Sequence, residues 1–99
     1  MITIAICDDE PLMVEELSRQ LSDYMEEKQC TSYQISHFFS GQALLESGRD
    51  FDLLFLDIQM KSPDGMETAK RLRSRRSHSL LIFVTVLKEC VFDAFEVEA

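Results

Sequence analysis

The sequence feature that most limits how this chain can fold is an apolar run that ends abruptly in an acid. The stretch 51–56 reads Phe-Asp-Leu-Leu-Phe-Leu, and Asp57 follows it directly. A short, nearly continuous apolar run is typical of a strand covered on both faces, as in parallel sheets. A buried carboxylate is costly unless a partner stabilises it. Asp57 is therefore either a local turn or capping residue or part of a site.

Strand-like and helix-like segments alternate along the whole chain. Further strands are predicted at 2–6, 33–38 and 80–84. Helices are predicted after Pro11, at Ser40, after Gly65, and from Lys88 to about Phe95. In the first of these helices, the apolar side chains recur every three or four residues, at Val14, Leu17, Leu21 and Tyr24. This order predicts an α/β fold with a doubly wound parallel sheet.

Acidic and hydroxyl side chains follow three of the predicted strands. Asp8 and Asp9 follow the first, Asp57 the third and Thr85 the fourth. Chemistry in such sheets collects at the carboxyl ends of the strands. Taken alone, Asp9 could cap the next helix and Thr85 could be an ordinary β-branched strand residue. Together, the three acids would repel by roughly 4 kcal/mol for each pair about 4 Å apart, so a cation is expected.

Hard oxygen ligands with open water positions favour Mg²⁺ at this cluster of acids. A carboxylate beside such a metal can act as a nucleophile towards phosphorus and form an acyl phosphate. The residues alone therefore predict Mg²⁺ as the cofactor and a carboxylate of this cluster as the group that reacts with phosphorus.

The overall charge and the cysteines exclude several classes of protein. Ten basic and 18 acidic side chains give a formal charge of −8, which disfavours nucleic-acid binding by this chain itself. Cys7, Cys30 and Cys90 form no zinc pattern and are expected to be small buried thiols in a reducing cytosol. The short apolar N-terminus lacks the features of a signal peptide or a membrane span, so a cytoplasmic protein without membrane contact is expected.

Four motifs in order and spacing resemble the receiver domain of bacterial response regulators. They are Cys-Asp-Asp-Glu-Pro at 7–11, Leu-Phe-Leu-Asp-Ile-Gln-Met at 54–60, Asp-Gly at 64–65 and Ile-Phe-Val-Thr at 82–85. The stretch 84–97 is most similar to the branch that carries LytTR-type DNA-binding output domains. The resemblance spans residues 1–99, and it implies a flavodoxin-like sheet with the strand order 2-1-3-4.

The resemblance also implies a role for each site residue. Asp57 would accept the phosphoryl group, and Thr85 would be the switch hydroxyl that moves towards it. Asp8, Asp9, Asp57 and the main-chain carbonyl of Gln59 would hold Mg²⁺. The partner would be a sensor histidine kinase, and the chain itself would catalyse at most its own phosphotransfer and dephosphorylation. DNA would be reached only through an output domain that this chain lacks.

The chain departs from the family pattern at its carboxyl end. The usual fifth strand, its lysine and the fifth helix would all fall after Ala99, so slower phosphoryl transfer is expected. The strand at 80–85 would then be an exposed apolar edge, which invites a homodimer or a strand swap. We attribute the basic group Lys70, Arg71, Arg73, Arg75 and Arg76 mainly to the dipole of its helix, with a docking patch as the alternative.

Three other functions are alternatives to the phosphorylated switch. A phosphatase or mutase that forms an aspartyl phosphate would need a second acid two residues after the nucleophile, where Gln59 stands. A flavodoxin-like nucleotide-binding protein would need a Gly- or Ser/Thr-rich loop after the first strand, and Asp8 to Pro11 are unlike one. An interaction module that is never phosphorylated stays open on the sequence alone.

Overall fold

A computed structural model describes residues 1–84 of the chain. It contains a parallel four-stranded sheet in the order β2-β1-β3-β4. The elements in chain order are β1 Ile2–Cys7, α1 Pro11–Glu27, β2 Tyr33–Phe38, α2 Gly41–Glu46, β3 Leu53–Asp57, α3 Gly65–Ser74 and β4 Leu80–Val84. The predicted fold class and strand order are confirmed. The helix predicted from Lys88 to Phe95 lies outside the described residues.

The register of the strands aligns their carboxyl ends. Cys7 at the end of β1 pairs with Phe38 of β2 on one side and with Leu56 of β3 on the other. Asp57 at the end of β3 pairs with Val84 of β4. The residues that follow β1 therefore stand beside the end of β3.

The starts of the helices follow local capping rules to different degrees. Ser40 caps α2 as predicted, because its hydroxyl oxygen accepts a hydrogen bond from the Ala43 amide at 3.0 Å. Asp64 caps α3 in a reciprocal capping box with Glu67, with distances of 2.9 and 3.5 Å. Pro11 begins α1, where no side-chain cap is present.

The main apolar core lies between the sheet and the pair α2 and α3. Ala5, Cys7, Leu54 and Leu56 of the central strands pack there against Leu44, Leu45, Ala69 and Leu72 of the helices. Each fully buried leucine contributes roughly 2 kcal/mol through the apolar area that it removes from water. This side of the sheet therefore holds β1 and β3 rigidly against each other.

The opposite face of the sheet is less evenly covered in the described part of the chain. Ile4 and Ile6 of β1 and Val14 of α1 are fully buried, whereas Leu53 and Phe55 of β3 are half-buried. The prediction that the apolar run of β3 is covered on both faces thus holds fully for one face only. Among residues 1–84, no helix has both the length and the apolar character that crossing a bilayer requires.

The apolar stripe of α1 differs from the prediction at its end. Tyr24 is 55% exposed, and Met25 is buried in its place. Eleven residues separate Val14 from Met25, which is about three helical turns, so these two side chains lie on the same face. Tyr24 points 100° away and instead contacts the ammonium of Lys28.

The first residue of α2 sits against the loop that precedes α3. A Cβ atom on Gly41 would overlap the hydroxyl oxygen of Thr68 and lie 2.9 Å from the carbonyl oxygen of Pro63. Thr68 is fully buried and donates its own hydroxyl hydrogen bond to the carbonyl of Asp64 at 2.7 Å. The contact therefore has little freedom to relax, and it joins α2 to the loop that follows β3.

We expect Gly41→Ala to lower the free energy of unfolding by about 1–3 kcal/mol, because the added methyl group overpacks this contact. Urea unfolding would measure the loss. Gln42→Ala, at the exposed neighbouring position, is the matched control and should change stability by less than about 0.5 kcal/mol. Equal stabilities for the Gly41 variant and the unchanged chain would contradict the close packing.

Candidate functional site

Three carboxylates meet at the carboxyl end of the central strands. One oxygen each from Asp8, Asp9 and Asp57 lies within 4.8 Å of the others. Asp8 and Asp57 are buried, at 6% and 3% exposure, and Asp9 is half-buried. The convergence predicted from the order of the strands is present, because β1 and β3 are hydrogen-bonded neighbours.

Main-chain amides orient two of these carboxylates. Asp8 accepts a hydrogen bond from the Glu10 amide at 3.0 Å, and Asp57 accepts one from the Gln59 amide at 3.1 Å. These are the local turns that Asp side chains commonly form two residues ahead of themselves. Asp8 and Asp57 therefore form local turns and also belong to the cluster of carboxylates. The alternative that Asp9 caps the next helix is wrong, since Glu10 stands at the cap position and α1 has no side-chain cap.

Gly65 closes the loop that follows Asp57. Its amide donates a hydrogen bond to the carbonyl of Ile58 at 3.1 Å. A Cβ atom here would overlap the carbonyl oxygen of Asp57 and lie 2.6 Å from the Ile58 Cα. Both obstacles are backbone atoms, so they cannot rotate away. The sequence contained the Asp-Gly pair, but only the fold shows that its glycine presses against the backbone of Asp57.

The thiol of Cys7 lies beneath the carboxylates. Its single S–H has two acceptors in reach, the carbonyl oxygen of Ser40 at 3.4 Å and the Met60 sulfur at 3.9 Å from Sγ. Burial, and next the negative charges of Asp8, Asp57 and Asp9, raise the pKa of this thiol to about 12. A metal ligand would have to be the thiolate. Cys7 is therefore a packing residue, as predicted, and the donors at the site are oxygens.

The donor set suits a hard divalent cation. Three carboxylates repel one another in a partly buried setting, and a bound cation removes that repulsion. Oxygen donors with room for water are the ligands that Mg²⁺ takes. Asp8, Asp9 and Asp57 are the residues that could hold it.

For two predicted site residues, Gln59 and Thr85, the described structure leaves the predicted role as a prediction. The amide of Gln59 contacts Asp57, whereas the predicted ligand role of its carbonyl oxygen stays a prediction. Thr85 lies outside the described residues. It follows Val84 in the sequence, and Val84 pairs with Asp57 and accepts a hydrogen bond from the Ile58 amide at 3.5 Å.

Comparison with known proteins places this arrangement in a family. The family model of the response regulator receiver domain matches residues 4–99. The chain belongs to the receiver domain family. Receiver domains are signalling phosphoacceptors rather than classical enzymes, and they bind Mg²⁺ at an acidic pocket. The resemblance inferred from the four motifs is confirmed.

Curated relatives of this receiver domain include longer regulatory proteins. It is 35% identical to the sensory transduction protein LytT of Enterococcus faecalis, over 97% of this chain and 38% of that protein. It is 34% identical to the positive alginate biosynthesis regulatory protein of Pseudomonas aeruginosa, over 99% of this chain and 39% of that protein. The chain thus spans well under half the length of these relatives.

Solved structures show the same fold. The response regulator TrrA of Thermotoga maritima, in complex with Mg²⁺ and BeF, is 27% identical with a TM-score of 0.73, covering 100% of this chain and 82% of that one. A second structure shows TrrA in complex with the histidine kinase ThkA, with 28% identity and a TM-score of 0.70, over 87% of this chain and 70% of that one.

We expect Asp57→Asn to raise the free energy of unfolding in EDTA by about 1–2 kcal/mol, because it removes one of three mutually repelling charges. Urea unfolding with and without MgCl₂ would measure this. Mg²⁺ should stabilise the unchanged chain through preferential binding to the folded state, and stabilise the variant less.

Glu26→Gln is the matched control for this charge change, because Glu26 is exposed on α1. It should leave both the stability in EDTA and the gain from Mg²⁺ unchanged. A less stable Asp57 variant in EDTA, or an equal gain from Mg²⁺ in both proteins, would contradict a metal site formed by these carboxylates.

Proposed function

We propose that this receiver domain is phosphorylated on Asp57 in a reaction that requires Mg²⁺. The observation that carries the proposal is the convergence of Asp8, Asp9 and Asp57 within 4.8 Å at the end of the central strands. Asp8, Asp9, Asp57 and the main-chain carbonyl of Gln59 would hold the metal. Membership of a family of phosphoacceptors supports the same role.

The residues of the site suit nucleophilic attack by Asp57. A carboxylate oxygen of Asp57 bonds to phosphorus while the bond from phosphorus to the donor nitrogen breaks, which leaves an acyl phosphate on Asp57 and a free imidazole on the donor. Bound Mg²⁺ supplies positive charge that offsets the charge on the phosphoryl oxygens. The Gln59 amide fixes the orientation of the carboxylate, and Thr85 would donate its hydroxyl to a phosphoryl oxygen.

The donor would be a phosphohistidine on a sensor histidine kinase. The complex of the similar regulator TrrA with the histidine kinase ThkA supports this class of partner. Similarity to the sensory transduction protein LytT and to an alginate biosynthesis regulatory protein, both longer than this chain, supports a part in a longer regulatory protein. In this proposal, the output domain of that protein contacts DNA and controls transcription. We place this signalling in the cytoplasm.

We expect acetyl phosphate and Mg²⁺ together to add one phosphoryl group to the chain, because the site has its own nucleophile and metal ligands. Intact-mass spectrometry would detect the adduct. Omission of Mg²⁺, or the substitution Asp57→Asn, should abolish it. Asp23→Asn, an exposed position on α1, is the control and should be labelled like the unchanged chain.

An adduct that survives Asp57→Asn would show that another residue is the acceptor. No adduct on the chain, although Mg²⁺ stabilises it, would favour the alternative of an interaction module that is not phosphorylated. The first result would contradict only the assignment of Asp57 as the acceptor, whereas the second would contradict phosphorylation as the function.

We also propose that the outer side of β4 pairs with a second copy of this chain. β4 is a terminal strand of the sheet in the described residues. Its side chains Leu80, Ile82 and Phe83 are 61%, 36% and 37% exposed. Apolar side chains along a terminal strand favour pairing between sheets, because association buries them and satisfies main-chain groups.

We expect the mass measured by light scattering to rise with concentration towards that of a dimer, and Ile82→Lys to restore the monomer, because a charge at a strand edge opposes pairing. Leu12→Lys is the control, since Leu12 is also exposed, at 77%, but lies on α1. A monomer at every concentration, or equal loss of the dimer in both variants, would rule out this edge as the interface.

A further inference from the structure

A cavity of about 150 Å³ lies at the end of the sheet opposite the acidic site. It is formed by the loop between α2 and β3 and the loop between α3 and β4, which precede the amino ends of β3 and β4. Its lining consists of Gly48, Arg49, Asp50, Leu72, Arg75, Arg76 and Ser77. We call this feature the arginine cavity. It shares no residue with the acidic site.

The charge around the arginine cavity is opposite to that of the chain as a whole. The chain has 10 basic and 18 acidic residues, and six of the basic ones lie in these two loops and the second half of α3. They are Arg49, Lys70, Arg71, Arg73, Arg75 and Arg76. Within residues 1–84, the ion pairs are those that Arg19 forms on α1. Among residues 1–84, none of these six side chains therefore forms an ion pair with a carboxylate.

Two of the lining arginines are held in place by neutral groups. Arg75 donates a hydrogen bond to the carbonyl of Leu45 at 2.6 Å. Arg49 lies over the ring of Phe51, 4.8 Å from its centre, and donates to the hydroxyl of Ser36 at 3.3 Å. A guanidinium has five N–H donors, so each retains donors for a ligand and is already ordered before one binds.

Asp50 is the one acid in the lining, and it accepts hydrogen bonds from the loop before β4. Asp50 accepts hydrogen bonds from the hydroxyls of Ser77 at 2.7 Å and Ser79 at 2.8 Å, and from the His78 amide at 3.4 Å. The bonds from Ser77 and Ser79 lower the pKa of Asp50. The carboxylate therefore fixes the loop before β4 in its conformation, and it forms no ion pair with the arginines.

We propose that the arginine cavity binds a phosphate group, either as inorganic phosphate or as part of a small phosphate ester. Planar guanidinium groups match phosphate oxygens with paired hydrogen bonds, and Arg is preferred over Lys where such geometry matters. Arg49, Arg75 and Arg76 supply these donors around a volume suited to one small anion. The site is independent of phosphorylation at Asp57.

The charge preference of helix ends explains part of this cluster but not all of it. Arg75 satisfies the Leu45 carbonyl near the end of α2, and Arg73 donates to the Ser77 carbonyl at 2.9 Å, near the end of α3. Arg49 and Arg76 make no hydrogen bond to a helix carbonyl among the described residues. Arg76 stands at φ 60°, in the left-handed region, just after α3. The dipole of a helix therefore does not account for these two arginines.

Titration of the whole chain with sodium phosphate, followed by amide NMR at constant ionic strength without Mg²⁺, tests the proposal. We expect saturable shifts confined to residues 48–50 and 75–77. Methyl phosphate, as the second arm, should shift the same amides if an ester fits, whereas binding of inorganic phosphate alone would assign the site to the free anion. Sodium acetate should bind at least about fivefold more weakly, because it offers fewer oxygens.

Arg76→Gln should weaken phosphate binding by about fivefold, since it removes a charged donor from an exposed site. Arg19→Gln makes the same charge change on α1 and should leave the affinity unchanged. Asp57→Asn should also leave it unchanged, which separates this site from the acidic one. Shifts that do not saturate, equal affinity for acetate, or equal effects of the Arg76 and Arg19 substitutions would each overturn the proposal.

Discussion

The repulsion among three carboxylates is the constraint around which the rest of this receiver domain is arranged. β1 and β3 are adjacent and parallel, so the acids that follow them are brought within 4.8 Å. The unfavourable charge energy is offset by the apolar core under α2 and α3, which fixes the two strands together. Local amide bonds to Asp8 and Asp57, and the close approach of Gly65, then keep the carboxylates pointing at one place. The fold positions the site by packing that lies almost entirely beneath it.

Much of this arrangement could be predicted from the sequence, because it rests on short-range patterns. The apolar runs at 2–6, 51–56 and 80–84 predict strands, and helices between them require parallel connections. Once the strands are parallel, their ends share one edge of the sheet, which brings Asp8, Asp9 and Asp57 together without further information. The serine cap of α2 was predictable for the same reason, since a cap depends on residues within one turn.

Features that depend on contacts between distant residues could not be predicted. Gly41 and Gly65 are ordinary glycines until the fold places Thr68 and the Asp57 backbone against them. The choice between Tyr24 and Met25 as the buried residue of α1 turned on where the helix sits against the sheet. The sequence pattern explains the basic group at the end of α3 by the dipole of its own helix, whereas Arg75 bonds to the carbonyl of a residue 30 positions earlier, in α2.

The distribution of charge has a consequence for how this molecule meets others. Asp8, Asp9 and Asp57 meet at the carboxyl ends of the strands, whereas Arg49, Arg75 and Arg76 lie in loops that precede the amino ends. These two places therefore carry local fields of opposite sign. A local field of this kind raises the rate at which a partner of opposite charge arrives before the surfaces touch. Salt screens such a field over about 10 Å, so the encounter rate would fall as salt is added. Neutralising the carboxylates would weaken the field at that end alone, so the charge state of the site would also change how quickly basic partners reach it.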